Sequence, residues 1–568
     1  MPTAFFTHCP FHLRGAHGKV RSMSRHPALP ALPLAALLLL PILTAETLGQ
    51  AGEPDPGFSI LAQPAGITEL TPDEETPDTS DENYTVIGPH LTRDAYLALR
   101  GTDDDYVLRT RWQIVRTALD GTELGREQRE IVIGDGYVTE TGTAERIIQD
   151  FATARTLTRA PALDGPVMRN EPVVSHVHRQ MNTFAFYTEG GTLDAVTGPG
   201  GTSFDRFWIE AAMGVRLAEA DLISSTTADG TIELRRSADG APVFSHRSDG
   251  LGAGAPAALF RGWLQHTVPV HPDALATLSD AAGLPEQFSF LVYSPSSPQG
   301  RRESWARLSS HEDQASFPWP DGLAPARADS YQIDDPAIGL LLQTGLDAAA
   351  QPSATPIEAD FLAAADAAQR RADPAGAYLA LYQSSHHQGP CGNDTPSPVC
   401  NRMSQVTAAG IGNSTFENLM TGISRMQSDR PSALTILREH LRRDGLEGAA
   451  ANLLAAQALA ALRSAQPDAL PDLNLPALFA TSARNDPFAP MTFWHGGRYV
   501  ASQGDVETAW LLFDIARALP ASRSMPPSLE AAAMSEQLQT LAPGFFVQTY
   551  LPAAEADPAD ETGDSDEN

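Results

Sequence analysis

Two histidines separated by one residue are the closest approach to a catalytic centre in this sequence. His176 and His178 lie in the segment 173–178, whose pattern predicts a β-strand. Side chains two positions apart in a strand point to the same side of the sheet, so both imidazoles would face one way. Imidazole nitrogens bind divalent metal ions, and a third ligand would come from His246, His266, His271 or a carboxylate. A metal-dependent hydrolase is therefore the alternative function, whereas the simpler interpretation is that both histidines line a polar outer strand face.

Cys391 and Cys400 form a second candidate site. The third cysteine, Cys9, lies in a segment that we expect to be removed, so this pair remains. An even pair that closes a short loop rich in Gly, Asn and Pro predicts a disulfide bond in an oxidising compartment. His386 and His387 lie just upstream and leave a His/Cys metal site as the alternative, although this spacing matches no tetrahedral zinc signature.

The other catalytic signatures that we sought do not occur. Lys19 is the only lysine, so the remainder of the chain lacks the amine that a phosphate-binding loop, a Schiff base or a Ser–Lys dyad requires. The sequence also lacks G-x-S-x-G, H-E-x-x-H and G-x-G-x-x-G. These absences favour a binding protein over an enzyme and predict no cofactor apart from the metal ion of the histidine hypothesis.

The charge of the chain excludes two classes of partner. The 568 residues include 39 basic and 70 acidic residues, which gives a formal net charge of −31. Nucleic acids and anionic lipids bind surfaces rich in Lys and Arg, so neither is expected as a partner. We expect a protein or peptide partner, or an apolar ligand.

The N-terminal segment has the order of a secretory signal peptide. A basic stretch between Arg14 and Arg25 precedes an apolar run at 31–45, which is too short to span a membrane. Residues 1–51 are therefore predicted to be removed, with Met1 or Met23 as the start and no stable membrane anchor. The mature protein is expected in the periplasm or the external medium.

The rest of the chain divides by composition into five parts. Residues 52–83 and 551–568 are acidic and are predicted to be disordered. Between them we expect a β-rich domain at 84–317, a hinge at 318–354 and a helical domain at 355–550. The predicted fold class is α+β.

The β-rich part shows period-two runs that alternate with turn signals. Strands are predicted at 106–114, 130–133, 173–178, 183–187, 231–236 and 287–293, with helices at 204–213 and 272–283. Five Asp-Gly pairs lie between the predicted strands: Asp120-Gly121, Asp135-Gly136, Asp164-Gly165, Asp229-Gly230 and Asp239-Gly240. Asp-Gly favours type I′ hairpin turns, so we expect an antiparallel meander or half-barrel. The strand, turn and strand pattern of 148–164 resembles that of lipoprotein-carrier-type half-barrels. The resemblance implies a sheet that cups an apolar ligand.

The helical part begins with a predicted capping box at Thr355 to Glu358. Small and aromatic residues then recur at fixed spacing in 493–519: Phe493, Gly497, Gly504, Ala509, Phe513 and Ala516. A second set has the same spacing: Phe361, Ala365, Ala372, Ala377 and Leu381. This spacing resembles tetratricopeptide or Sel1-like repeats, and the resemblance implies stacked helical hairpins that bind a protein or peptide. A plain alanine-rich bundle is the alternative.

Overall fold

The structure is a computed structural model, and it describes residues 93–100, 106–141, 147–189, 205–294, 297–319, 322–388, 391, 397–520 and 526–547. The predicted signal peptide, acidic leader and acidic tail lie outside these residues. Within them, a mostly antiparallel sheet of twelve strands is followed by an all-helical region. The predicted α+β class is therefore confirmed.

The sheet consists of two meanders, β1 to β6 and β7 to β11, which meet where the first strand of one pairs with the last strand of the other. Its members are β1 (Val107–Ala118), β2 (Glu123–Gly134), β3 (Tyr137–Thr141), β4 (Ile147–Asp150), β5 (Arg155–Ala160), β6 (Val167–Pro172), β7 (Leu222–Thr226), β8 (Ile232–Arg236), β9 (Pro242–Ser248), β10 (Pro285–Ser294), β11 (Ser297–Asp313) and β12 (Ala324–Pro325). The strand order is β12-β6-β5-β4-β3-β2-β1-β11-β10-β9-β8-β7, and β12 alone pairs in parallel. The long β1–β11 pairing joins the two meanders.

Sixteen α-helices lie within the described residues. They are α1 (Arg93–Arg100), α2 (Val173–Glu189), α3 (Arg206–Met213), α4 (Ala255–Thr267), α5 (Pro272–Leu275), α6 (Pro336–Ala349), α7 (Glu358–Arg370), α8 (Pro374–Gln388), α9 (Pro398–Gly410), α10 (Ser414–Arg425), α11 (Arg430–Leu437), α12 (Gly445–Ala465), α13 (Leu475–Asn485), α14 (Pro490–Ser502), α15 (Val506–Ala518) and α16 (Pro526–Leu541). Of these, α12 is long and apolar enough to span a membrane, but most of it is buried against other helices.

All five Asp-Gly pairs lie at strand-to-strand turns, but the predicted turn type is wrong. Each of these glycines has a positive φ, whereas none of the five aspartates does. In the first hairpin, Gly121 N–H donates to Ala118 O at 3.0 Å and Ala118 N–H donates to Thr122 O at 2.8 Å. This is a type I turn followed by a left-handed glycine, in which the positive φ of Gly121 disfavours a side chain with a Cβ.

The strands predicted at 173–178 and 183–187 are wrong, since both segments belong to the single helix α2. Its buried apolar side chains recur three or four residues apart, which is the helical period. They are Val173, Val177, Met181 and Phe184. The six-residue window at 173–178 was too short to separate this stripe from strand alternation.

Helix α4 packs against one face of the sheet. Phe260 of α4 stacks on Trp112 of β1 at 5.5 Å between ring centroids, and Trp263 meets Trp305 of β11 edge to face at 6.1 Å. These aromatic contacts belong to the hydrophobic core that holds α4 on the sheet.

The predicted hinge at 318–354 contains helix α6, so the hinge prediction is wrong. Asp335 caps this helix by accepting a hydrogen bond from Ala337 N–H at 2.8 Å. A Cβ at Gly345 would lie 2.6 Å from Phe493 of α14 and 2.8 Å from Ile515 of α15. The close approach fixes α6 against both helices, and one hydrophobic core runs through the two halves of the chain.

The capping box predicted at Thr355 to Glu358 is also displaced. Helix α7 begins at Glu358, and the carboxylate of Asp360 accepts a hydrogen bond from Ile357 N–H at 2.9 Å. The Thr355 hydroxyl donates instead to Pro352 O at 2.8 Å. Ile357 has no side-chain acceptor, so only one of the two reciprocal bonds of a capping box can form here.

Two helical hairpins, 132 residues apart, have the same turn. Between α7 and α8 the turn is Arg371-Ala372-Asp373, and between α14 and α15 it is Gln503-Gly504-Asp505. The central residue has a positive φ in both, +58° at Ala372 and +88° at Gly504. The aspartate then caps the second helix, through Gly376 N–H at 3.0 Å and Thr508 N–H at 3.1 Å.

The core positions of the two hairpins also correspond. The helix-packing residues of the α7–α8 hairpin are all buried: Phe361, Ala365, Ala377 and Leu381. Their counterparts Phe493, Gly497, Ala509 and Phe513 are buried as well. A Cβ at Gly497 would lie 2.5 Å from the Phe513 ring, so the aromatic side chain occupies the space that the glycine leaves.

We predict opposite effects of exchanging alanine and glycine at the two equivalent turns. Gly504→Ala should destabilise the protein by about 1 kcal/mol, because a Cβ is unfavourable at positive φ. Ala372→Gly should stabilise it by a similar amount for the same reason. Urea unfolding measures both changes.

A matched control is Ala363→Gly at an exposed position inside α7, where glycine should cost about 1 kcal/mol through helix propensity. Destabilisation by Ala372→Gly of the size seen for Ala363→Gly would contradict the equivalence of the two turns.

Candidate functional site

The histidine pair does not form the predicted ligand set. His176 and His178 lie in helix α2, where residues two positions apart are rotated by about 200° around the axis. The two imidazoles therefore point to different surroundings, and the premise that they share one face is wrong. Among the residues that the structure describes, no group of three or more His, Cys, Asp or Glu side chains could hold a metal ion.

His178 faces the helical half of the protein. Its Nδ1 accepts a hydrogen bond from the indole Nε1–H of Trp510 in α15 at 3.1 Å. Burial lowers the pKa of His178 to about 4, because a charged imidazole would lose its hydration there. The ring is thus a neutral acceptor that joins α2 to α15.

His176 lies near α4 and the C-terminal segment. Its ring is 5.3 Å from His266 of α4 and 5.3 Å from Phe545, measured between centroids. His266 Nε2–H donates to Phe545 O at 3.1 Å. One of the predicted third ligands is therefore a neighbour of His176, but its Nε2 binds a backbone carbonyl.

Cys391 and Cys400 are paired as predicted, with their sulfur atoms 2.08 Å apart. The pair lies between α8 and α9, and Cys400 belongs to the first turn of α9. The thiolates that the alternative His/Cys metal site requires are consumed by this bond.

The two histidines upstream of the disulfide lie inside the helical half. His387 Nε2–H donates to the carboxylate of Asp486 at 2.7 Å, and Gln383 Nε2–H donates to the same oxygen at 2.7 Å. Burial alone would raise the pKa of Asp486, but these hydrogen bonds and the facing imidazole keep it below its ordinary value. The contacts tie α8 to the turn between α13 and α14.

A cleft of about 200 Å³ opens beside α3 at the end of the sheet that carries β7. Its inner wall is a buried pair in which His271 Nε2–H donates to Glu210 at 2.9 Å. His271 Nδ1 accepts from Asp273 N–H at 3.2 Å, so both ring nitrogens are occupied. Phe207 stacks on the imidazole with 4.8 Å between ring centroids.

Two arginines line the cleft, and each is bound to a carboxylate of the protein. Arg206 Nε–H donates to Glu210 at 2.6 Å. Arg236 makes two hydrogen bonds to Asp205, at 3.1 and 2.6 Å. These contacts pair the charged side chains of the cleft wall with one another.

Local motifs in the sequence could not have identified this cleft. Glu210 and His271 are 61 residues apart, and neither belongs to a recognisable spacing of catalytic residues. The only local signal is His271-Pro272, where the imidazole caps the short helix α5.

No protein-family model matches this sequence, and no curated protein matches it.

The buried histidines predict a loss of stability in mild acid. Burial lowers the pKa of His178, His246, His266 and His386 to about 4 and that of His495 to about 3. Between the ordinary value of about 6.5 and these values, the unfolded chain binds more protons than the folded one. The free energy of unfolding should therefore fall as the pH decreases from 6.5 towards 4.

His178→Asn tests one member of this set, because the amide oxygen can still accept from Trp510. Removing this titration should reduce the loss of unfolding free energy between pH 7 and pH 5 by about 2 kcal/mol. The control His311→Asn removes an imidazole from the exposed surface and should have a smaller effect. An unchanged pH dependence in His178→Asn, measured by urea unfolding, would show that His178 is not a buried neutral acceptor.

Proposed function

We propose that the protein is an exported binding protein whose helical half presents a surface to a protein or peptide partner. The proposal is supported by the two equivalent hairpins α7–α8 and α14–α15. Hairpins that stack through small and aromatic residues leave their outer helix faces free for partners. The repeat-like spacing, the buried core positions and the positive-φ turns agree with tetratricopeptide-like packing.

The observation that carries the proposal is an exposed isoleucine in a charge-poor surface. Ile411, at the turn between α9 and α10, is 76% exposed. The exposed side chains of α9 and α10 are mostly uncharged: Asn401, Ser404, Gln405, Ala408, Ala409, Ser414, Thr415 and Asn418, with Glu417 and Arg425 as the exceptions. We call these residues with Ile411 the α9–α10 face.

A charge-poor surface is unusual in a protein with 70 acidic residues. The centres of protein interfaces are depleted of charged residues, and apolar side chains provide their anchors. The Cys391–Cys400 disulfide holds the start of α9 in place, and Arg402 of α9 binds Gln369 of α7 at 2.6 Å. These two contacts hold α9 in place, and Ile411 is the apolar anchor of the α9–α10 face.

Export is part of this proposal. The pairing of Cys391 with Cys400 supports an oxidising compartment, where disulfide bonds persist. In this scheme the β half serves as the platform on which the helical half is mounted.

A photoreactive amino acid at position 415 tests the proposal in the cell of origin. We expect a discrete adduct with one partner protein outside the cytoplasm, formed with a chain whose N-terminus is near Gly52. Ile411→Asp should reduce the adduct about tenfold, since a buried anchor contributes 1–2 kcal/mol or more. It should leave the free energy of unfolding within about 0.5 kcal/mol, because the side chain is exposed.

Leu163→Asp is the matched control, since Leu163 is 88% exposed in the turn between β5 and β6. That variant should retain the adduct. An adduct that survives Ile411→Asp, or the absence of any adduct at position 415, would contradict binding at the α9–α10 face.

A further inference from the structure

The two edges of the sheet differ in how they are protected. β12 forms one edge and is only two residues long, with a proline in it. β7 forms the other edge with five residues, Leu-Ile-Ser-Ser-Thr, none of which is charged or proline. Natural edge strands usually carry charges, proline or bulges that prevent the addition of another strand. β7 has none of these features, and Ile223 is 55% exposed.

The hydrogen-bond pattern leaves alternate backbone groups of β7 directed away from its neighbour. At one end Ser237 N–H donates to Asp221 O at 3.0 Å, and at the other Thr227 N–H donates to Thr231 O at 2.9 Å. In an antiparallel pair, bonded residues alternate along the strand, so Ile223 and Ser225 also bond to β8. The N–H and C=O groups of Leu222, Ser224 and Thr226 therefore face outward.

The cleft described above continues this edge. Ala220 and Asp221, which precede β7, line its mouth together with Glu219. Because Arg206 and Arg236 are already paired within the protein, the exposed carboxylates of Glu219 and Asp221 set the charge at the mouth. The volume of about 200 Å³ lies below the roughly 300–1,000 Å³ of small-molecule pockets and suits one side chain.

The opposite end of β7 is acidic as well. Asp229 follows the strand in the turn to β8, and its side chain is 58% exposed. Hydrogen bonds from the hydroxyl groups of Thr227 and Thr231 fix this carboxylate and lower its pKa. Arg247 lies 3.4 Å from Asp229 and 3.0 Å from Glu286, so one arginine is shared by two carboxylates and this end keeps a net negative charge. An uncharged strand edge thus lies between two negatively charged ends.

We infer that β7 and the adjoining cleft bind an extended cationic peptide by strand addition. The peptide backbone pairs with the outward groups of Leu222, Ser224 and Thr226, and its uncharged central residues lie along β7. A basic side chain at one end enters the cleft beside Glu219 and Asp221, and another approaches Asp229 at the far end. This surface belongs to the β half and is independent of the α9–α10 face.

Charge argues against a second copy of the chain as the occupant. A two-fold antiparallel pairing centred on Ser224 would place Glu219 of one copy opposite Asp229 of the other. Directly opposed like charges destabilise strand pairing, and both copies carry a large negative charge. The basic side chains of a cationic peptide would instead lie close to the carboxylates of Glu219 and Asp229, and opposite charges attract.

The test uses the full mature chain and a fluorescent heptapeptide, Arg-Thr-Ile-Thr-Val-Thr-Arg, in an anisotropy titration. We expect saturable binding that weakens with added salt, and at least tenfold weaker binding when both arginines of the peptide are replaced by glutamate. Ser224→Pro should weaken binding about tenfold or more, because it removes an outward N–H without breaking a bond to β8. Ser224→Thr is the matched control and should bind as the wild type does.

Amide hydrogen exchange gives a second readout that needs no variant. Added peptide should slow exchange at Leu222, Ser224 and Thr226 and leave Ile223 and Ser225 unchanged. Equal binding of the acidic peptide, wild-type affinity in folded Ser224→Pro, or absence of this alternating protection would overturn the inference. Protection that rises with protein concentration in the absence of peptide would identify a second copy as the occupant and would also overturn it.

Discussion

A buried ion pair between the two halves of the chain is the contact on which the architecture depends. Arg155 of β5 donates to Asp514 of α15 at 2.6 Å, and both side chains are almost completely excluded from solvent. Asp514 also binds Arg517 of its own helix, and breaking a buried ion pair by removing one member costs about 3–5 kcal/mol. Both charges must therefore be buried together or not at all, so the sheet and the helical half have to fold against each other in one register. Two further contacts of α15 extend this one: Trp510 donates to His178, and Glu507 accepts from Arg169.

Features encoded by neighbouring residues could be predicted from the sequence. The Asp-Gly turns, the helical hairpin around Gly504 and the Cys391–Cys400 pairing each depend on a few residues that are close in the chain. A glycine after an aspartate favours a tight turn whatever the rest of the fold does, since the constraint is the φ angle itself. The same locality explains why Ala372 could be matched to Gly504 by spacing alone, before its positive φ was known.

Features that depend on distant partners could not be predicted. Arg155 and Asp514 are 359 residues apart, and nothing local distinguishes them from the other charged residues of the chain. A six-residue window at the start of helix α2 cannot separate the strand period from the helix period, whereas the longer stripe from Val173 to Phe184 is helical. Helix α6 was assigned to a hinge on composition, although the Asp335-Pro336 start signal was present. The cleft at His271 had no sequence signature, since its wall comes from separate elements.

The most direct test of the account is whether the two halves unfold together. Hydrogen-exchange pulse labelling across a urea series reports the unfolding midpoint of each peptide segment in a single experiment. If the buried contact of α15 joins the halves into one unit, segments from β5 and β6 and segments from α14 and α15 should share one urea midpoint. A helical half that unfolds at a lower urea concentration while β5 and β6 remain protected would contradict the central role of the Arg155–Asp514 contact.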